Sequence, residues 1–443
     1  MTVGLLRHLL GFSVEPERAF MALAQDAPYA VWWDDHGDRG SQVSYLALAT
    51  PLSVSPRAHH DVRSALAELS VSPGVRLEGY PLGILVVAPY ETGAGFIGLV
   101  SDTSPPVHAL VVDRLVAIDH ATGATTLVAL GDSWSGELEA WRIHVEVALG
   151  EAPELVPPHL DPVSSPIWRD TSDRYREMIA QAQDAIREGD AYQLCVTTQI
   201  DFVGSVDPVA LHRLMRVASP THHQALIRLG ELTIVSASPE TFLDVSAEGT
   251  VVTRPIKGTR PRGQSPEEDQ RLAGELLASE KERAENLMIV DLMRNDLSKV
   301  CVVGSVVVPE LLVVETYATV HQLVSTVAGD LREGLDVWDV MEATFPAGSM
   351  TGAPKRRAVE LLNDMESGPR GLYSGVIGIW RADGSATFAM TIRSAIVHAT
   401  HLTVGVGGGI TALSETEAEI REVGVKAAAF LEALGQQQAE YSW

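Results

Sequence analysis

One basic segment of the chain combines residue types that could form a covalent bond to a substrate. Residues 254–263 read RPIKGTRPRG and contain four cations, two prolines and two glycines. Because proline and glycine are poor in the interior of a helix or strand, we predict a stiff, basic loop. Lys257 follows an apolar residue in this segment and lies among three arginines. Burial and like charge both favour a neutral amine, so Lys257 is a candidate nucleophile; the alternative is a solvated turn.

Two acidic segments could bind a hard cation. Glu285 lies in residues 279–298, where apolar residues recur at helical spacing beside several carboxylates. Glu419 and Glu422 are three apart in residues 415–434, so they project from one face of the helix that we predict there. Mg²⁺ prefers carboxylate oxygens, and this spacing favours a shared ion. The alternative is that these carboxylates are simply solvated.

A glycine-rich segment could bind a carboxylate through its backbone. Residues 404–410 read VGVGGGI, a predicted strand that leads into Gly407, Gly408 and Gly409. Without side chains, the amides of these glycines can approach an anion closely. The G-x-G-x-x-G fingerprint is absent, and FPAGSMTGAPK at residues 345–355 lacks the Walker spacing. Neither segment therefore predicts a nucleotide site.

These segments need a framework of strands and helices to bring them together. Short runs rich in Val and Leu, bounded by Gly, Asp or Pro, predict strands. The strands fall at residues 30–33, 82–88, 107–112, 192–200, 225–229, 232–236, 304–308, 375–379, 386–392 and 402–406. Apolar residues at helical spacing predict helices. The helices fall at residues 173–188, 279–298, 336–343, 353–363 and 415–434. Capping boxes, Ser279 with Glu282 and Ser414 with Glu417, predict the starts of two of them.

A proline-rich connection divides the chain. Five prolines fall in residues 151–168, where they block helices and remove hydrogen bonds from strands. We expect residues 1–150 to form a β-rich subdomain without obvious chemistry. Residues 169–443 are expected to form the domain that holds the candidate site. For 443 residues this predicts one large two-layer body with subdomains.

The composition argues against several classes of partner. The chain has 33 basic and 58 acidic residues, and its net charge of −25 would repel nucleic acid and anionic lipid. Hydrophobic residues make up 46%, as in a folded globular protein. Cys195 and Cys301 have no CxxC spacing, so neither a disulfide framework nor a cysteine zinc site is expected. No signal peptide and no apolar run of 18 residues is visible, so we expect a cytoplasmic protein without membrane partners.

The order and spacing of seven motifs resemble the chorismate-utilising enzymes, a family that includes anthranilate, aminodeoxychorismate, isochorismate and salicylate synthases. The motifs are SPETF (238–242), RPIKGTRPRG (254–263), ERAENLMIVDLMRNDLSKV (282–300), FPAGSMTGAPK (345–355), GLYSGVIG (371–378), TIRS (391–394) and GVGGGI (405–410). The resemblance implies an α+β fold with a large antiparallel β-sandwich core flanked by helices. It also implies chorismate as the substrate.

The resemblance assigns two groups of residues to binding. It implies that Glu285 and Glu422 ligate Mg²⁺, with Glu419 nearby, and that the metal holds one substrate carboxylate. Tyr373 and Arg393, together with the backbone amides of the glycine segment, resemble the clamp for the other carboxylate. Arg can bind a carboxylate bidentately, which suits this role.

Three further residues take their roles from the same resemblance. Glu240 resembles the general acid at the C4 hydroxyl of chorismate, and His321 is expected beside it. A lone histidine is more often a packed or surface residue, and only the matched surroundings favour a catalytic role for His321. Ser349 stands in the substrate site where relatives often have Thr, which keeps the hydroxyl.

Two positions point to an amination. Gln193 stands in the substrate site where water-adding relatives carry Lys, and Gln cannot act as a base for water. Anthranilate synthases typically read PIAGT where this chain has PIKGT, and a Lys here resembles aminodeoxychorismate synthases. The implied reaction is Mg²⁺-dependent amination of chorismate to 4-amino-4-deoxychorismate through a covalent bond to Lys257. Anthranilate synthase component I and a non-catalytic chorismate-binding regulatory subunit are the alternatives.

The source of ammonia is expected to be a second protein. No G-x-C-x-G glutaminase elbow occurs, and neither cysteine has suitable surroundings. A separate glutamine amidotransferase subunit is therefore implied.

Overall fold

The computed structural model describes residues 3–36, 42–55, 58–69, 71–72, 74–77, 79–99, 105–317 and 320–436. The ends of the two expected domains, residues 1–2 and 437–443, lie outside the described residues. The strands are β1 (Gly4–Leu9), β2 (Tyr29–His36), β3 (Gln42–Leu48), β4 (Thr50–Leu52), β5 (Gly83–Ala88), β6 (His108–Val112), β7 (Arg114–Asp119), β8 (Thr125–Gly131), β9 (Ile167–Trp168), β10 (Gln193–Val203), β11 (His223–Leu229), β12 (Leu232–Ser238), β13 (Thr241–Val245), β14 (Thr250–Thr253), β15 (Ile256–Pro261), β16 (Val307–Thr316), β17 (Val320–Asp330), β18 (Gly352–Ala353), β19 (Val376–Arg381), β20 (Ala386–Met390), β21 (Ser394–Val397) and β22 (His401–Ile410). The helices are α1 (Pro16–Ala24), α2 (Ala58–Glu68), α3 (Tyr90–Phe96), α4 (Gly136–Gly150), α5 (Ser172–Arg187), α6 (Pro208–Ala218), α7 (Pro266–Ala278), α8 (Glu280–Ser298), α9 (Val337–Thr344), α10 (Lys355–Met365) and α11 (Thr416–Ala433). A short 3₁₀ helix covers Gly348–Met350.

Two large antiparallel sheets form the centre of the molecule. The described residues give a 12-stranded sheet in the order β1-β8-β7-β3-β2-β11-β12-β21-β22-β10-β18, with β9 beside β10. They give a 10-stranded sheet in the order β15-β17-β14-β13-β20-β19-β5-β6-β4, with β16 beside β17. The prediction of an α+β fold with an antiparallel β-sandwich and flanking helices is confirmed.

Apolar side chains fill the space between the sheets and cover their outer faces. Val31 and Ile227 from the larger sheet pack with Val87 and Ile377 from the smaller one. Helices α5, α10 and α11 cover the outer face of the larger sheet around β10 and β22. Helices α8 and α9 cover the smaller sheet. Strand β22 and helix α8, which carry candidate site residues, are thereby held by separate apolar clusters.

The first 150 residues contribute strands to both sheets. Strand β2 pairs with β11 in the larger sheet, and β5 pairs with β19 in the smaller one. The division at residues 151–168 therefore describes chain order, and in space the two parts share their sheets. Most of this connection has no regular structure before β9, as its prolines predict.

The basic segment forms an edge strand, so the prediction of a loop is wrong. Among the described residues, strand β15 pairs with β17 on one side and with no strand on the other. At such an edge the missing backbone N–H groups of Pro255 and Pro261 cost little. The pairing is irregular between Ile256 and Thr259, around Gly258, which has a φ of 84°. Only glycine adopts such a φ without strain, and the irregularity re-aims the neighbouring side chain.

One of the two predicted helix starts is confirmed. The Ser279 hydroxyl accepts the backbone N–H of Glu282 at 3.4 Å, which caps α8. The prediction for Ser414 is wrong, since Glu415 is the N-cap residue of α11 and makes no side-chain cap. Ser414 turns back instead, and its hydroxyl accepts the N–H of Thr411 at 3.1 Å. Within the described ranges, none of the helices combines the length and the apolar composition that a bilayer crossing needs.

His212 on α6 should make the stability of the fold sensitive to acid. Its ring is fully buried, lies 4.7 Å from the Trp32 ring, and neither ring nitrogen has a hydrogen-bond partner among the described residues. Burial lowers the pKa of His212 from 6.5 to about 3. Below about pH 6.5 the unfolded chain therefore binds a proton that the folded chain excludes. As the pH drops below about 6.5, the free energy of unfolding therefore falls by up to ~1.4 kcal/mol per pH unit. This continues until the pH reaches the pKa of His212 in the folded protein.

Replacing His212 by Leu should remove this acid sensitivity. Urea unfolding of wild type and His212→Leu at pH 7 and pH 5 should show that wild type loses about 2 kcal/mol more than the variant. His159, which is 84% exposed, offers a matched control as His159→Leu. Equal losses in wild type and His212→Leu would contradict the assignment.

Candidate active site

Two carboxylates from distant helices meet around one ammonium group. Glu285 on α8 is 6% exposed and Glu419 on α11 is 1% exposed. Nζ of Lys281 lies 2.6 Å from Oε1 of Glu419 and 3.9 Å from Oε1 of Glu285. Burial raises the pKa of Glu285, and the charges of Lys257 and Lys281 offset this only in part. The fold therefore places a positive charge between two buried acids, as charge burial requires.

The same two acids fit a magnesium ion. Mg²⁺ typically takes one or two protein carboxylates and fills its shell with water and substrate oxygens. Oε1 of Glu285 has no hydrogen-bond partner among the described residues, and Lys281 shows that a cation is accommodated here. In the part of the chain that the structure describes, no three His, Cys, Asp or Glu side chains are clustered for a metal. Glu285 and Glu419 could thus hold Mg²⁺ only together with other ligands.

Glu422 lies near this pair but is held by another cation. Its side chain is 49% exposed, and Nζ of Lys426 lies 2.9 Å from its Oε1. Burial raises the pKa of Glu422, but the charge and hydrogen bond of Lys426, with the charges of Lys281 and Lys257, together lower it below its ordinary value. Of the three expected metal ligands, Glu285 and Glu419 share the Lys281 ammonium, and Glu422 pairs with Lys426.

Lys257 on β15 faces this acidic cluster. Its side chain is partly buried, and Nζ donates a hydrogen bond to the backbone oxygen of Ser349 at 3.3 Å. The positive charge of Lys257 acts on the carboxylates of Glu240, Glu285 and Glu422, where it opposes protonation. The amine and the acids thus lie in one site, although they are far apart in sequence.

Glu240 has an environment that suits proton donation. It lies between β12 and β13 and is 7% exposed. Burial raises the pKa of Glu240, and a hydrogen bond from the Ser349 side chain and the charge of Lys257 lower it by less. A carboxyl with a raised pKa keeps its proton closer to neutral pH and can act as a general acid.

Gln193 presents an unsatisfied amide to the site. The residue is fully buried, and neither Nε2 nor Oε1 has a hydrogen-bond partner among the described residues. A Cβ built on Gly409 would lie 2.3 Å from Nε2 of Gln193 and 3.6 Å from Nζ of Lys257. Leaving a buried amide unpaired costs about 1–3 kcal/mol, which a polar ligand could recover. Gln193, Gly409 and Lys257 therefore border a common space.

The glycine strand has one open edge. Strand β22 pairs with β10 over its whole length, but with β21 only over residues 402–404. The carbonyl of Gly407 accepts a hydrogen bond from Nζ of Lys426 at 2.9 Å. Cys195, opposite Gly409, gives its own N–H to the Thr351 carbonyl at 2.8 Å. Since the N–H and C=O of one strand residue point to the same side, Gly407 and Gly409 direct their amides to the open edge.

Tyr373 lies against the middle of this strand, and Arg393 directly precedes β21, the strand beside it. A Cβ on Gly405 would lie 2.0 Å from Cγ of Tyr373, so the ring packs directly on the glycine backbone. Arg393 has a φ of 48° and lines a cavity of about 210 Å³ together with Thr259 and Gln322. Burial lowers the pKa of Arg393, and the charges of neighbouring groups oppose this. A guanidinium on a cavity wall suits an anionic ligand.

His321 is buried and both its ring nitrogens have partners. Nδ1 lies 2.8 Å from the hydroxyl of Thr316, and Nε2 lies 2.9 Å from Oδ1 of Asp269. Asp269 also accepts two hydrogen bonds from Arg262 and one from the N–H of Gly263. Asp269 therefore links His321 to Arg262 and Gly263, which directly follow strand β15 and so lie close in sequence to Lys257.

Sequence reasoning missed the cations that complete the site. Lys281 lies four residues before Glu285, and Lys426 lies four residues after Glu422. This i,i+4 spacing is a signal that could have found both lysines. The contact of Lys281 with Glu419 had no signal of this kind, because it joins two helices.

The fold is that of chorismate-utilising synthases. Anthranilate synthase component I from Streptococcus pneumoniae TIGR4 superposes with a TM-score of 0.73 at 26% identity, covering 97% of this chain and 92% of that chain. MenF, the menaquinone-specific isochorismate synthase from Escherichia coli, gives 0.74 at 18% identity, covering 98% and 95%. The second likeness concerns the fold alone.

The chain belongs to the family described as chorismate binding enzyme, which it matches over residues 28–432. Aminodeoxychorismate synthase of Streptomyces pristinaespiralis is 36% identical over 96% of this chain and 64% of that protein. Aminodeoxychorismate synthase of Streptomyces griseus is 40% identical over 80% of this chain and 50% of that protein. Anthranilate synthase component 1 2 of Haloarcula marismortui is 38% identical over 86% and 74%. The chain thus spans 64% and 50% of the two aminodeoxychorismate synthases, and the prediction of the family is confirmed.

Adding one methyl group at Gly409 should impair the site and spare the fold. In Gly409→Ala the new Cβ would meet Nε2 of Gln193 at 2.3 Å, and this flexible side chain must move toward Lys257. We expect enzymatic activity to fall more than about tenfold because the side chains of the site lose their placement. The melting temperature should change little.

Gly274 is the matched control for this substitution. It lies in α7, and a Cβ there meets nothing within 4 Å. Gly274→Ala should keep full turnover and gain about 0.5–1 kcal/mol of stability. Turnover unchanged in Gly409→Ala would show that this glycine does not border the reacting space.

Proposed function

We propose that the chain aminates chorismate to 4-amino-4-deoxychorismate. The observation that carries this is the position of Lys257, whose ammonium lies at the glycine strand beside a protonatable Glu240. An amine and an acid in one water-poor site are what displacement of a hydroxyl requires. Relatives named aminodeoxychorismate synthase at 36% and 40% identity support the same reaction.

The proposed chemistry has two displacements. The neutral amine of Lys257 attacks C2 of chorismate, both conjugated ring double bonds shift, and the C4 hydroxyl leaves as water with a proton from Glu240. The lysine nitrogen, now bonded to C2 and positively charged, then gives its extra proton to the Glu240 carboxylate. Ammonia then attacks C4, both double bonds shift back, and the lysine nitrogen takes a proton from Glu240 as it leaves C2. The ammonium formed at C4 gives its extra proton to the Glu240 carboxylate, which restores the acid. Chorismate and ammonia thus give 4-amino-4-deoxychorismate and water, and Lys257 is regenerated. A covalent intermediate of this kind splits one difficult substitution into two easier ones.

The other side chains bind and orient in this proposal. The amides of Gly407 and Gly409, with Tyr373 and Arg393, hold one substrate carboxylate. Gln193 directs its amide at the reacting ring and cannot activate water as a lysine would. His321 fixes the end of β15 through Asp269. Glu240 is assigned to protonate the departing C4 hydroxyl. Glycine at position 408 keeps the strand close to the acid pair, since a Cβ there would lie 3.4 Å from Oε2 of Glu419.

Magnesium is part of the proposal. Glu285 and Glu419 would hold the ion, and Glu422 could join them if it leaves Lys426. When bound, Mg²⁺ supplies an anchor for a substrate carboxylate and polarises the leaving side.

Ammonia is proposed to come from a separate glutamine amidotransferase subunit. Cys195 and Cys301 are both buried, and burial raises the pKa of both thiols, that of Cys301 to about 11. A thiol of this kind is a poor nucleophile for glutamine. Two unpaired cysteines also fit the cytoplasm, which we propose as the location.

Anthranilate synthase component I is the second candidate, because anthranilate synthases are also among the relatives at 38% identity.

Incubation of the chain with chorismate, Mg²⁺ and ammonium, followed by chromatography, separates the candidates. We expect 4-amino-4-deoxychorismate, no turnover with glutamine alone, and no turnover after chelation of Mg²⁺. Fluorescent anthranilate would favour the second candidate. Calorimetric binding of chorismate without turnover would favour a regulatory subunit.

Lys257→Ala should abolish formation of 4-amino-4-deoxychorismate because the first displacement loses its nucleophile. Mass spectrometry of wild type with chorismate and without ammonia should show an adduct equal to chorismate minus water, on Lys257. Lys299, which is 52% exposed and pairs with Asp296, serves as the control variant Lys299→Ala with unchanged turnover. If no lysine adduct ever forms, the covalent route is wrong.

Ser349 should set the pH range in which Glu240 works. The Ser349 hydrogen bond lowers the pKa of Glu240, so Ser349→Ala should raise that pKa further. Activity of a general acid is present below its pKa and is lost as pH rises through it. The alkaline limb of kcat/KM should therefore move to higher pH in Ser349→Ala and stay in place in Ser349→Thr. A limb that moves to lower pH in Ser349→Ala would exclude Glu240 as the acid.

A further inference from the structure

A buried ion pair lies directly behind the glycine strand. Arg370 and Glu366 have side chains that are 2% and 8% exposed. Nη2 of Arg370 donates to Oε1 of Glu366 at 2.7 Å, and Nε donates to Oε2 at 2.9 Å. Desolvation offsets much of the attraction in such a pair, so its net contribution to folding stability is expected to be small.

The pair also holds two backbone segments of the site, strand β10 and the turn at Met350. Nη1 of Arg370 donates to the Met350 carbonyl at 2.6 Å, and Nη2 donates to the Cys195 carbonyl at 2.8 Å. Oε1 of Glu366 accepts the N–H and the hydroxyl of Thr197, both at 2.9 Å. All three guanidinium nitrogens of Arg370 and both carboxylate oxygens of Glu366 are thereby hydrogen-bonded.

These contacts fall on the residues that back the site. Cys195 pairs with Gly409 and Thr197 pairs with Gly407 in the β10–β22 ladder. The carbonyl of Cys195 and the N–H of Thr197 both point away from β22 and toward the ion pair. The paired Gly407 and Gly409 therefore point their amides to the other, open edge of β22. Met350 directly follows Ser349, whose carbonyl accepts from Lys257. A shift of the pair would move the amides and this turn together.

The N-terminal part of the chain fixes the pair from behind. Oε1 of Glu91 accepts the backbone N–H of Arg370 at 2.8 Å and that of Gly371 at 3.1 Å. The Arg370 guanidinium lies 4.3 Å from the centre of the Tyr90 ring. Arg370 is therefore anchored to α3 and cannot follow the strand if the strand moves.

We propose that the Arg370–Glu366 pair is a positioning pair, which fixes the Gly407 and Gly409 amides and the Ser349 turn and so sets the affinity for the substrate carboxylate. The inference rests on the proposed binding role of these amides. It does not depend on which product is formed. Misaligned hydrogen bonds to a charged carboxylate can cost about tenfold or more in affinity, so the geometry of the pair matters more than its charge.

Arg370→Lys tests the pair, because Lys keeps the charge but lacks the planar fork that reaches several acceptors at once. Arg216 is a matched control. It pairs with buried Asp34 at 2.6 Å and lies 4.8 Å from the centre of the Trp32 ring, in the N-terminal core. The readouts are the Kd for chorismate by calorimetry and the melting temperature of each full-length variant.

We expect Arg370→Lys to weaken chorismate binding by about tenfold or more, while Arg216→Lys leaves the Kd within about twofold at a similar loss of melting temperature. Glu366→Gln, which keeps the side-chain shape, should weaken binding in the same direction. An unchanged Kd in Arg370→Lys would overturn the proposal. So would loss of folding in both Arg370→Lys and Glu366→Gln, because the pair would then act on the whole fold. Wild type that binds chorismate but makes another product would contradict the proposed function and leave this inference intact.

Discussion

Compensation of buried charge is the constraint on which the site depends. Glu285 and Glu419 are nearly inaccessible to water, and each would be costly as an isolated anion. The Lys281 ammonium lies beside both carboxylates, and Lys257 on β15 adds a second positive charge to the site. The chain as a whole carries a net charge of −25, so an anionic substrate has to be attracted locally. In the proposed reaction, the lysines, Arg393 and the glycine amides would supply that local attraction.

Burial and pairing give similar carboxyl groups different chemistry. Glu240 and Glu422 are both glutamates near Lys257, yet the pKa of the first is raised and that of the second is lowered. For Glu240 burial dominates, whereas for Glu422 the hydrogen-bonded Lys426, together with Lys281 and Lys257, outweighs burial. One site can therefore hold a proton donor and an ionised carboxylate at the same pH, as acid catalysis beside a metal position requires.

The two sheets give the site its rigidity. Strand β22 is fixed along one edge by β10 and leaves its other edge open over the glycines. The acids come from helices on the outer layers, and the amine comes from an edge strand of the smaller sheet. Helix α8 packs in one apolar cluster and α11 packs with β22 in another, so Glu285 and Glu419 lie on firmly packed elements. Glu240 lies in the two-residue connection between β12 and β13. The first 150 residues take part as well, because Glu91 anchors Arg370 behind the glycine strand.

The sequence by itself determined the fold class, the family and the identity of the candidate groups, since hydrophobic period, capping and motif order are local properties of the chain. It placed most helices and strands of residues 169–443 within a few residues of their observed positions, and it correctly predicted the cap at Ser279. Only the tertiary structure decided that the segment around Lys257 is an edge strand, that Ser414 turns back, and that Lys281 meets Glu419. It also decided that His321 is bound to Asp269, and that Arg370 and Glu366 stand behind the glycines. These contacts join residues that are distant in sequence, and their geometry follows from packing of whole sheets and helices, which no local pattern encodes.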